Sequence, residues 1–128
     1  MPNQSLLASI WPSFFFVLLI SYGSIVDEAS SQSFSCIHSD KIIHFMCYFI
    51  LSMLLFMYSI ANIWGRESSK IRFFFVFGIA LFVGLCLEIV QANFTTHRSG
   101  ELADLLMNIL GSVFAIFILE SLNYKSVL

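Results

Sequence analysis

Four apolar stretches, each close to the thickness of a bilayer, constrain this chain more than any other feature: about Leu6–Val26, Ile42–Ile63, Ile71–Ala92 and Leu102–Leu122. A helix needs about 20 mainly apolar residues to cross the hydrocarbon layer. The stretches are continuous rather than alternating, and an open sheet leaves its edges unsatisfied in lipid. The expected fold is therefore all-α: a four-transmembrane-helix bundle running up and down, one domain over residues 1–128. Charged residues make up 11% of the chain against about 25% in soluble domains, which excludes a soluble globular protein. A net charge of −2 without a basic stripe excludes nucleic acid as a partner.

The first stretch is read as a retained helix rather than a cleaved signal. It has no basic n-region and ends in Ser21-Tyr22-Gly23-Ser24 without a clear cleavage pattern. Pro12 is expected to start or kink that helix, and Trp11 and Trp64 lie where interfacial anchors sit. Arg66, Lys70 and Arg72 cluster between the second and third stretches, and Lys125 follows the fourth. Only Lys41 and Arg98 stand on the other side, so the positive-inside rule puts both termini in the cytoplasm. Cys36, Cys47 and Cys86 have no C-x-x-C spacing, so neither a zinc site nor a disulfide framework is expected. Cys47 and Cys86 are read as packing residues.

The polar residues inside the apolar stretches carry the functional signal. Asp40, Lys41 and His44 open the second stretch, Glu88 and Gln91 close the third, and Asp104 and Asn108 open the fourth, with Arg98 in the link between the last two. In an up-and-down bundle these positions share one membrane face, and ionisable groups near hydrocarbon are costly enough to imply a use. Residues three and four apart share a helix face. Lys41, His44, Tyr48 and Ser52 form such a stripe, as do Ala80, Gly84, Glu88 and Gln91. Asp104, Asn108, Gly111 and Ala115 form a third. Small residues let helices approach, which brings the polar ends together.

Candidate roles follow from chemistry. Glu88, His44 and Asp104 are the candidates for proton transfer. Asp40, Lys41, Tyr48, Gln91, Arg98 and Asn108 are the candidates for contact with a ligand, Arg98 because its planar fork grips phosphate or carboxylate. Plainer roles compete: Ser39 and Asp40 as helix caps, Lys41 snorkelling to headgroups, and an ion-pair network that only holds helices. Asp40, His44, Glu88 and Asp104 offer mixed metal ligation, but the repulsion of Lys41 and Arg98 argues against it. No metal and no cofactor is expected.

Asp40-Lys41-Ile42-Ile43-His44-Phe45, followed by Tyr48 and Leu51, resembles the first signature of the VanZ-like membrane proteins. Glu88, Gln91, Arg98, Asp104, Asn108 and Gly111 resemble the spaced residues of that family's second signature. The chain departs from the pattern at Ala115, often glycine in the family, and in Asn93–His97, which lacks a proline often found there. The family takes its name from resistance to teicoplanin, a lipoglycopeptide aimed at peptidoglycan precursors. The resemblance therefore implies a multi-pass protein of a bacterial cell membrane, with membrane lipids and a peptidoglycan precursor or lipoglycopeptide as partners. Three functions stay open at this point: binding of an anionic lipid headgroup or glycopeptide, an enzyme acting on a phosphoryl or acyl group, and a structural accessory subunit. The oligomeric state is not legible.

Overall fold

A computed structural model of the chain describes residues 9–30, 37–64, 69–94 and 102–125. Four helices follow one another: α1 (Trp11–Ser30), α2 (Ile37–Ser59), α3 (Ser69–Phe94) and α4 (Leu102–Lys125). A π-helical turn, Ile60–Trp64, continues α2. No strand occurs among the described residues. Lys41–Asn62, Ser69–Asn93 and Leu102–Leu122 are each long and apolar enough to cross a membrane. The described apolar part of α1, Trp11–Ser24, is shorter.

The helix ends refine the expectation. Pro12 is the second residue of α1, where its missing N–H costs nothing, so it starts the helix and does not kink it. α2 begins at Ile37, which places Ser39 and Asp40 inside its first turn. Their side chains lie outside the described residues, and an acid in the first turn suits the helix dipole.

α2 and α4 form the closest pair, α3 packs against both, and α1 lies more loosely on α2 and α3. Gly111 explains the α2–α4 contact. A Cβ there would collide with the carbonyl oxygen of Phe45 and come within 3.2 Å of the Phe49 nitrogen. The two backbones touch because that side chain is absent. Leu51, Leu55, Phe56, Val76, Ala80 and Ile116 fill the centre, while large apolar residues such as Phe15, Phe74, Phe82 and Phe117 face outward. An apolar exterior around a packed centre suits hydrocarbon surroundings. The expected small-residue stripes are interior: Ala80, Gly84, Gly111 and Ala115 are all buried. Cys86 departs from expectation, since it is exposed on the outer face rather than packed inside.

Candidate functional site at one end of the bundle

Helix direction decides which residues meet. α2 and α4 start at the end where α3 finishes, so the first turns of two helices and the last turns of a third converge there. His44 of α2, Glu88 of α3 and Asp104 of α4 bring one ligand-type atom each to within 4.8 Å of one another. Asp104 and Asn108 are 8% and 3% exposed. The imidazole is oriented by a neighbour. His44 Nδ1 lies 3.1 Å from Asn108 Oδ1. With that amide oxygen facing it, Nδ1 carries the proton and donates it. Nε2 lies 4.0 Å from Asp104 Oδ2. Asn108 is anchored in turn, its backbone carbonyl accepting the Ser112 hydroxyl at 3.0 Å.

The cluster opens onto a cavity of about 150 Å³. His44, Tyr48, Glu88 and Asn108 form its polar side, and Phe16, Leu19 and Ile20 of α1 supply an apolar wall. A cavity of that size in an apolar setting admits a group about as large as benzene. Of the remaining candidates, Gln91 is buried and Lys41 half-buried, and both are engaged by partners. They sit one helical turn from Glu88 and His44 respectively. The side chain of Asp40, and Arg98 altogether, lie outside the described residues.

One feature of the opposite end escapes the sequence reading, which placed Arg72 in a cytoplasmic link and gathered the charges at one face. Arg72 belongs to α3 and is 0% exposed. Its Nε and Nη2 donate to Glu120 Oε1 and Oε2, each at 2.9 Å. The guanidinium also lies over the Phe56 ring, 5.1 Å from its centroid, a cation–π contact. The bundle thus carries a buried polar group at both ends. The signal was available: Arg72 early in the third stretch and Glu120 late in the fourth share a membrane face by the same up-and-down logic. Arg72, buried and paired, also drops out of the positive charges flanking the spans, which leaves Arg66, Lys70 and Lys125 against Lys41 and Arg98 for orientation.

Comparison with curated proteins and with solved structures finds no match. The family model described as VanZ/LLP1 matches residues 3–123, which includes every helix from α1 to most of α4 and both polar signatures. The chain, with its membrane-length helices and its polar cluster at one bundle end, belongs to the VanZ/LLP1 family.

Proposed function

We propose that this protein binds an anionic amphiphile of the bacterial cell envelope, a lipid headgroup or a lipoglycopeptide of the teicoplanin type, at the His44–Glu88–Asp104 end of the bundle. The observation that carries the reading is the two-sided cavity, polar at His44, Glu88 and Asn108 and apolar along α1. A ligand with a polar head and a hydrocarbon part matches both walls at once. Lys41 meets the negative charge from the first turns of α2, and Asn108 and Tyr48 offer hydrogen bonds to amides or hydroxyls. By the remaining positive charges that flank the spans, this end faces away from the cytoplasm. A cysteine introduced at Ser68 is accordingly inaccessible to an impermeant thiol reagent on intact cells, and labelling there would reverse the orientation.

The test is equilibrium binding to the purified protein in lipid nanodiscs, with farnesyl phosphate and teicoplanin as probes. Lys41→Glu is expected to weaken binding about 10–100-fold, the worth of one hydrogen bond to a charged group. Ile20→Trp, which fills the cavity from α1 and leaves the polar groups in place, is expected to weaken it as well. Unchanged affinity in both variants would favour the structural role, in which the cluster only joins helices.

A second reading is favoured by the imidazole itself. A histidine held at Nδ1 by Asn108, with Nε2 on the Asp104 side, is arranged to take a proton from a water that attacks a phosphoryl or acyl substrate. Release of inorganic phosphate or fatty acid from a lipid-linked probe separates this enzyme from a pure binder.

A further inference from the structure

Three helices each contribute one side chain of metal-ligating type to a single point beside the cavity. We infer that His44 Nε2 and the carboxylates of Glu88 and Asp104 bind a divalent transition cation of the zinc or manganese class. The site stands on its own geometry, while the ion's task, holding the ligand's anionic group, rests on the amphiphile-binding proposal.

The separation of His44 from Asp104 suits two ligands of a shared ion. His44 Nε2 and Asp104 Oδ2 are 4.0 Å apart, too long for a hydrogen bond. Two ligands bound to one ion at about 2.1 Å each lie no more than about 4.2 Å from one another. All three ligand atoms lie within 4.8 Å of one another, at most about 0.6 Å above that limit. None of the three is a solvated surface group: Asp104 is buried and the other two are half-buried.

The imidazole is prepared on its far side. Metal-bound histidines donate their other ring N–H to an oxygen acceptor, which fixes the tautomer and the ring plane. Asn108 Oδ1 takes that position at Nδ1, and Asn108 is itself held in the α2–α4 seam. One nitrogen and two oxygens select a borderline cation over a soft copper(I) ion or a calcium ion, which prefers six to eight oxygens. Three protein ligands leave a coordination position open, and His44 and Glu88 line the cavity into which it would face.

Charge points the same way. Glu88 and Asp104 against Lys41 leave the described cluster one charge negative, and in the sequence Asp27, Glu28, Asp40 and Glu101 outnumber Arg98 on the same side. That excess weakens the pull of Lys41 on an anionic head, and a divalent ion offsets it. The repulsion from Lys41 that argues against a metal in the sequence is then relieved by the two carboxylates bound to the ion and by the incoming anion.

The experiment uses full-length protein in nanodiscs, stripped with chelator and titrated with Mn²⁺ by electron paramagnetic resonance and with Co²⁺ by absorption. One saturable ion per chain is expected, with a Co²⁺ spectrum of nitrogen and oxygen ligation. Asn108→Leu, which keeps all three ligands, should weaken the ion about 10–100-fold, and His44→Ala and Glu88→Gln should abolish it. Absence of saturable binding in the unaltered protein overturns the inference, as does binding unchanged in well-inserted His44→Ala. If that variant does not insert, the Co²⁺ spectrum of the unaltered protein decides: a fully hydrated ion contradicts the site. Farnesyl phosphate binding, measured with and without chelator, separates the two proposals. Loss on chelation supports the ion; unchanged affinity overturns the ion's task and leaves amphiphile binding standing; no binding in either condition removes the amphiphile instead.

Discussion

Glu120→Ala destabilises the bundle by about 3 kcal/mol, the low end of the cost of removing one partner from a buried ion pair, because the Glu120 side chain is 23% exposed. Arg72 is fully buried, and the carboxylate of Glu120 takes two parallel hydrogen bonds from its guanidinium at 2.9 Å each. Deleting the carboxylate leaves the buried guanidinium without that partner for its charge. The Phe56 ring offsets a fraction of that charge, since a cation–π contact contributes about 0.5–2 kcal/mol. Glu120→Gln should cost less, because the amide oxygen still accepts one of the two bonds. The double variant Arg72→Met with Glu120→Leu should recover most of the loss, since apolar replacement of a buried pair is often neutral or stabilising. Equilibrium unfolding in mixed micelles measures all three. A loss below about 1 kcal/mol for Glu120→Ala, the scale of a solvent-exposed pair, would mean the pair is solvated.

Gly111→Ala is expected to be the most damaging methyl group that can be added to this protein. Its Cβ would strike the carbonyl of Phe45, a backbone atom that cannot rotate away, so α2 and α4 must part. Overpacking of this kind costs about 1–3 kcal/mol. The damage extends to the site, because Gly111 lies three residues after Asn108 and Phe45 follows His44 directly. Spreading the helices at Gly111 lengthens the His44–Asn108 hydrogen bond one turn away. The other glycines serve as controls. At Gly84 a Cβ would meet Asn108 and Tyr48 side-chain atoms at 3.4 Å, near ordinary contact, and at Gly78 it would meet nothing within 4 Å. Gly78→Ala should be neutral or slightly stabilising through helix propensity. Unfolding curves for the three variants, read with ligand binding, check both parts. Equal behaviour of Gly111→Ala and Gly78→Ala would mean that α2 and α4 are not in contact there.

Most of the architecture is legible in the sequence because bilayer length and continuous apolarity are one-dimensional properties. The stripe Lys41, His44, Tyr48, Ser52 and its counterparts on α3 and α4 point inward because helical spacing places them on one face and small residues mark the contact. What is not legible depends on pairing. Arg72 stands at the edge of a span, where arginine can snorkel, pair or belong to a loop, and only its proximity to Glu120 tells these apart. The Asn108–His44 bond joins residues 64 positions apart, and no local pattern specifies which imidazole nitrogen it takes. The apolar wall from α1 likewise depends on how a loosely packed helix leans on α2 and α3.

The central claim is that side chains from α2, α3 and α4 share one polar point, and the ¹⁵N resonances of the His44 imidazole in metal-stripped protein test it most directly. The account predicts a protonated, hydrogen-bonded Nδ1 that responds to Asn108→Leu, and an Nε2 resonance that moves in both Glu88→Gln and Asp104→Asn. Glu120→Gln, at the far end, should leave both resonances in place. An imidazole indifferent to both acid substitutions would contradict the convergence, and with it the proposed site.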